Sequence, residues 1–270
     1  MERLIKEAEF LAEGGTKELI LIAQETTVYG TDLYGKKMLP ELLNRLCEIP
    51  GIEWIRLLYC YPEEITEELI QTMKKQPKIC HYLDMPIQHA ADTVLKRMGR
   101  RTNRKELDTL IAKLRKEIPD IALRTSLITG FPQETQEEHE ELLDFVEKAG
   151  FERLGVFTYS KEENTPAARM KGQITKKVKV QRQKELMRLQ QQVSKKRGEE
   201  KIGKIIRVMI EGKLPEEDIF IGRSYMDAPN VDGYVFVHSQ DSYLSGEIID
   251  VRILSAKEYD LVGEAVSELD

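Results

Sequence analysis

The feature that most constrains the fold is a regular alternation of short strand-like runs with longer amphipathic stretches. Leu19 to Ala23, Trp54 to Tyr59, Cys80 to Met85, Ile121 to Ile128 and Arg153 to Thr158 have strand length, and the first is apolar throughout, as in a strand covered on both faces. Between them, Glu2 to Ala12, Leu39 to Ile49, Ile65 to Lys75, Ala90 to Met98, Arg104 to Ile118 and Thr135 to Ala149 read as helices. Gly14-Gly15 and Gly150 stop two of them, and Asn103 is placed to cap another. Thr135 with Glu138 has the spacing of a capping box. This alternation predicts a parallel sheet wrapped by helices, either doubly wound or barrel-like. In both, ligands bind beyond the C-terminal ends of the strands.

After Lys171 the character changes. Thr175 to Arg197 is rich in Lys, Gln and Arg, with only a sparse apolar stripe of Val178, Leu186, Leu189 and Val193, and reads as one long surface helix. Ile205 to Ile210, Ile219 to Arg223, Tyr234 to Val237 and Gly246 to Leu254 are short β-type runs separated by Gly and Asp, the pattern of a small barrel. The expected division is an α/β domain over residues 1–172, a connecting basic helix over 173–202 and a small all-β domain over 203–270.

Charge follows the same division. The net charge is −6, yet Arg169 to Lys204 carries 13 Lys/Arg against 3 Glu, and Ile205 to Asp270 carries 5 Lys/Arg against 14 Asp/Glu. The basic helix could touch RNA, although its simplest reading is a solvated connector. No stretch approaches the ~18 apolar residues of a membrane span. Nothing in the chain reads as a signal peptide, so the expected compartment is the cytoplasm. The three cysteines, Cys47, Cys60 and Cys80, match no metal-binding spacing and read as buried thiols. GxGxxG, P-loop, HExxH and GxSxG patterns are all lacking, so nucleotide-cofactor and hydrolase readings get no support.

The strand ends deserve most attention. They carry Gln24-Glu25-Thr26-Thr27, Tyr61-Pro62-Glu63-Glu64, Pro86-Ile87-Gln88-His89, Thr129-Gly130-Phe131-Pro132 and Tyr159-Ser160. One rim therefore gathers hydrogen-bonding groups suited to a polar ligand bearing an amine, a carboxylate and a ribose. His139, within an acidic helix, reads as solvated; His89, after a strand-end Gln, is the one histidine expected near a site.

Several runs together resemble the radical S-adenosylmethionine (SAM) methylthiotransferases. They are Leu21 to Thr27, Tyr82 to Ala90, Leu95 to Met98, Leu123 to Pro132, Val156 to Ser160 and Thr165-Pro166-Ala167. The last domain resembles the TRAM domain of that family, most closely at Gly222 to Tyr225 and Asp227-Ala228-Pro229. Within the family the branch acting on a small-subunit ribosomal protein is the more similar. The tRNA-modifying branch has a Gln-Ser-Gly-Ser run where this chain has Gln88-His89-Ala90-Ala91. An acidic terminal domain would also attract a basic ribosomal protein and repel phosphates.

The resemblance implies an α/β radical SAM partial barrel followed by a small TRAM-like β-barrel, with SAM and two 4Fe-4S clusters in the full-length enzyme. It implies that Gln24, Gln88, Arg124, Ser126 and Phe157 line the SAM site. His89 and Arg100 are expected toward substrate, with Arg100 and Arg124 suited to a carboxylate because the guanidinium fork bonds it twice. The family's CxxxCxxC, whose thiolates would hold the catalytic cluster, is not found in this sequence. The chain is accordingly expected to be an incomplete barrel that holds no cluster, has no catalytic residue of its own and is inactive alone, with an exposed sheet edge that lowers its solubility. A tRNA adenosine methylthiotransferase and a non-catalytic substrate-binding module stand as alternatives.

Overall fold

A computed structural model describes residues 1–215 and 217–266. Its first half contains strands β1 (Glu18–Leu21), β2 (Trp54–Leu57), β3 (Ile79–Asp84), β4 (Ala122–Thr129) and β5 (Arg153–Thr158). Interleaved with them are helices α1 (Glu2–Glu13), α2 (Thr31–Tyr34), α3 (Leu39–Cys47), α4 (Glu67–Lys75), α5 (Asp92–Arg97), α6 (Arg104–Glu117) and α7 (Gln136–Ala149). The five strands form one parallel sheet in sequence order. The capping boxes at Asn103–Glu106 and Thr135–Glu138 both form, and Gly150 ends α7 in the left-handed conformation.

Strand alternation gives the sheet two different faces. Leu19, Ile55, Leu57, Leu83, Leu123, Leu127, Leu154 and Val156 point into the main core beneath the helices. Glu18, Arg56, Tyr82, Asp84, Arg124, Ser126, Arg153 and Phe157 belong to the opposite face, which has no helix over it.

Beyond the short α8 (Pro166–Arg169), α9 (Lys176–Glu199) is more than a connector, and that expectation is corrected. It lies along β5 and buries Arg182, Leu186, Gln190, Val193 and Ser194. Gln183 donates to Val156 O at 2.7 Å, Gln190 to Phe151 O at 2.8 Å and Ser194 to Glu152 O at 2.8 Å. Polar side chains thereby satisfy carbonyls along the β5 side of the sheet. At the other margin β1 pairs only with β2.

The last domain is a closed barrel of β6 (Ile205–Lys213), β7 (Ile219–Ser224), β8 (Val235–His238), β9 (Ile248–Ala256) and β10 (Leu261–Ala265), in the order β10-β8-β7-β6-β9. The expected four runs are present, and β10 closes the barrel by pairing antiparallel with β9 and parallel with β8. Residues 267–270 of the expected domain lie outside the described residues.

The barrel sits on the helix-free face of the sheet. Trp54, Cys80, Tyr82 and Ala122, near the starts of their strands, join a single apolar cluster with barrel residues Val208, Met209, Phe220 and Val235. Buried ion pairs surround that contact. Arg56 binds Glu18 at 2.7 Å and donates to Tyr225 O at 2.6 Å, while Arg223 reaches the other Glu18 oxygen at 2.7 Å. Arg153 binds Asp227, and the Tyr82 hydroxyl donates to Asp232 at 2.7 Å.

Candidate functional site

With the strand starts covered by the barrel, the strand ends remain open. There the helix-free face presents Ser126 and Phe157, and Phe157 is 59% exposed despite its size. Gln88 continues the rim: its backbone lies in the left-handed region at φ +75° and forms an extra bridge to Leu127. Gln88 N donates to Ser126 O at 2.9 Å, and Gln88 O accepts from Ile128 N at 2.7 Å. The chain thus extends β3's side of the sheet by one turn at a cost of backbone strain, a pattern found where a loop is shaped for a ligand.

The neighbouring loops are fixed by two carboxylates, half-buried Glu25 and buried Glu134. Glu25 accepts from Thr27 N and Tyr61 N, both at 2.9 Å, tying the loop after β1 to the loop after β2. Glu134 accepts from Gly130 N at 2.6 Å, Phe131 N at 3.0 Å and Arg182 at 2.9 Å. Gly130 is itself left-handed, at φ +73°, and a Cβ there would stand 2.3 Å from Lys179 Cγ. The β4 rim turn is therefore clamped between a carboxylate below and the α9 lysine beside it.

Of the expected site residues, Ser126, Phe157 and Gln88 come together on one open surface. Gln24 is exposed on the loop after β1. Arg124 is already paired within the chain: Asp84 holds its guanidinium at 2.7 Å and Asp232 of the barrel lies 3.4 Å from Nε. Its Nη1 and Nε are thus engaged from within the chain. Arg100 stacks on the Tyr61 ring at 4.7 Å and donates to Pro86 O, bracing the loop after β3.

His89 is corrected. It is fully buried, its Nδ1 accepts from Ala91 N at 3.0 Å, and its Nε2 faces Glu134 at 3.8 Å without a hydrogen bond. Burial depresses its pKa to about 3, so the ring is neutral. His139, expected in solvent, is equally buried, with Nε2 2.8 Å from Glu185 and Nδ1 4.0 Å from Glu134.

Sequence reasoning passed over Asp84, Glu134, Arg182 and Asp232 as site-shaping residues. An acid four positions after a strand-end glycine was the available signal for Glu134. Asp84 and Asp232 had none, because each is explained by an arginine distant in sequence.

The three thiols do not fit a cluster. Cys47, Cys60 and Cys80 lie on separate elements, and burial raises all three, Cys47 and Cys80 to about 11. They are protonated, whereas cluster ligands are thiolates. Among the described residues no three His, Cys, Asp or Glu side chains form a metal-binding group. No helix among them is long and apolar enough to cross a membrane.

The family model of the radical SAM superfamily matches residues 1–146, and that of the TRAM domain matches residues 202–266. The chain is 71% identical over 265 residues to a protein of Lachnoclostridium phytofermentans named ribosomal protein uS12 methylthiotransferase RimO, covering 98% of this chain and 60% of that protein. Proteins of the same name from Clostridium botulinum and Alkaliphilus oremlandii are 51% and 49% identical, each over 99% of this chain and 60% and 61% of their own lengths. The chain thus spans about 60% of the length of these curated relatives.

Proposed function

This chain belongs to the radical SAM superfamily, and from that premise we propose that it is the SAM-binding and substrate-holding part of a methylthiotransferase that modifies an aspartate of the small-subunit ribosomal protein uS12. The observation that carries the reading is a likeness of 71% identity extending across both domains, over 98% of the chain, to a protein of that name. A substrate of this kind puts the protein in the cytoplasm.

The open rim fits SAM. A large aromatic face left in solvent beside a hydroxyl and a strained polar loop is what an adenosine moiety would cover. In this reading Phe157 packs against the base, while Ser126 and the loops bearing Gln88 and Gln24 supply hydrogen bonds to the polar ends. Arg124, locked to Asp84 and Asp232, keeps the floor of the site rigid and desolvated. Beside a reduced 4Fe-4S cluster held elsewhere, SAM would supply radical and methyl-donor chemistry. The cysteines of this chain do not provide that cluster, so the chain alone binds SAM and does not cleave it.

The barrel domain carries the acidic surface. Glu211, Asp218, Asp241, Glu247, Asp250, Glu258 and Glu264 outnumber its basic side chains, which favours a basic protein partner and steers its approach. The tRNA-modifying alternative needs phosphates near this domain, where like charge opposes them.

The test is mass spectrometry of uS12 and of tRNA from cells with and without the gene encoding this chain. Loss of the methylthio mass from uS12 alone is expected. Loss from a tRNA adenosine instead would replace this reading with the tRNA one, and loss from neither would leave a binding module. Titration of the purified chain with SAM gives a separate check on the rim.

A further inference from the structure

The basic run that stands out in the sequence is not used by the site above. Its helix, α9, is buried on one side through Arg182, Leu186, Gln190 and Val193. At ~100° per residue, Lys177, Lys184, Arg188 and Lys195 fall within about 40° of one another on the side opposite those residues. All four are exposed. None has a carboxylate partner among the described residues, although ion pairs are common elsewhere on this surface, including His139–Glu185 and Arg197–Glu200 on the same helix. The stripe covers residues 177 to 195, about 27 Å of helix.

Beyond the end of α9 the same run continues as Lys201 and Lys204. These enter a cleft between the sheet and the barrel, which Lys74, Lys75 and Arg207 also line, with Asp120 as its one acid. Lys201 stacks on Tyr225 at 5.8 Å and also has no carboxylate bonded to it. Burial lowers its pKa, with the charges of Glu152 and Asp120 opposing the effect and those of Lys204 and Arg197 adding to it. Lys74 and Arg207 are paired with Glu117 and Glu53, but the four stripe cations with Lys201 and Lys204 have no carboxylate partner among the described residues, and on a chain of net charge −6 they form a local positive field suited to an anionic partner.

We propose that the Lys177–Lys184–Arg188–Lys195 stripe of α9 is a docking surface for the phosphodiester backbone of RNA, continued by Lys201 and Lys204. A linear row of point charges on a rigid helix matches a linear polyanion, and bonding through charge alone leaves base sequence unread. A basic ribosomal protein is repelled by this face and attracted by the acidic barrel. If the reading of uS12 as substrate holds, the two surfaces together suit a ribonucleoprotein, with RNA on α9 and protein on the barrel.

The test is fluorescence anisotropy of the full 270-residue chain with a labelled 20-nucleotide RNA hairpin, as a function of salt, compared with the K177Q/K184Q/R188Q/K195Q variant. All four side chains are solvent-exposed, so the fold is retained, which circular dichroism checks. Four phosphate contacts on a duplex stem predict roughly a 150-fold loss of affinity between 50 and 200 mM salt, and most of that dependence disappears in the variant. Undetectable binding at 50 mM salt, or equal affinity of parent and variant, would overturn the proposal. So would tighter binding of a polyglutamate peptide or of phosphatidylserine vesicles than of RNA. These readouts need no turnover, so a failure here is distinct from a failure of the uS12 assignment.

Discussion

Removing the Asp227 carboxylate tests whether the ion pairs beneath the barrel join it to the sheet. Asp227 is 1% exposed and accepts from Arg153 Nε at 3.0 Å, with Arg153 Nη2 also bonded to it. The same carboxylate accepts from Ser224 Oγ at 2.7 Å. In Asp227→Ala, Arg153 keeps Glu152 O and Ser194 Oγ, both at 3.2 Å, but loses its one bonded countercharge among the described residues. Stranding a buried charge costs about 3–5 kcal/mol, and the partial satisfaction of Arg153 puts that part near 3. The freed Ser224 hydroxyl adds about 1 kcal/mol. Urea denaturation of the whole chain should therefore show a loss of roughly 4 kcal/mol. The double variant Arg153→Met/Asp227→Leu, which removes both charges, should recover most of it. A single-variant cost under about 1 kcal/mol, or a double variant no more stable than the single one, would refute the account of this contact as a buried, mutually dependent pair.

Three further outcomes follow from the rim. Phe157→Ala should leave the urea midpoint nearly unchanged, since the ring is exposed, yet weaken SAM binding about tenfold in calorimetry; unchanged affinity would remove Phe157 from the site. Gly130→Ala puts a side chain at φ +73° and into Lys179, so a stability loss of about 1–3 kcal/mol and weaker SAM binding are expected together. His89 titrates near 3 when folded and near 6.5 when unfolded, so the unfolded chain binds the extra proton between these values and stability falls as pH drops below 6.5. His89→Gln removes that loss, narrowing the gap between variant and parent from pH 7 to pH 4 by up to about 3 kcal/mol; a gap that stays constant would contradict a neutral buried His89.

The sheet and its helices were legible because each depends on local pattern: strand-length runs, capping boxes at Asn103 and Thr135, and a stop at Gly150. What local pattern could not show is how polar residues are spent over long distances. The buried side of α9 is built partly from Arg182, Gln190 and Ser194, which bind Glu134, Phe151 O and Glu152 O, so its apolar stripe looked too thin for a packed helix. His139 sits among glutamates in sequence, and its hydrogen-bond partner, Glu185, comes from α9. Arg124 has the chemistry of a carboxylate clamp, but its carboxylates come from β3 and from the barrel. β10 escaped notice because five residues containing Gly263 and Glu264 make a strand only when β8 and β9 lie on either side. The open rim was anticipated as a place more accurately than as a set of side chains.

A small barrel seated across the strand starts makes traffic through the site one-ended. A ligand that settles against Phe157 and Ser126 meets a floor of Tyr82, Arg124 and Asp232, so it leaves by the mouth through which it came. If the rim holds SAM as proposed, a bound cofactor would have to clear that mouth before another entered, and a bulky polypeptide laid over it would hold the cofactor in place. In the reading of the rim as a SAM site, this architecture favours binding of the small molecule first, with the large one as its cover.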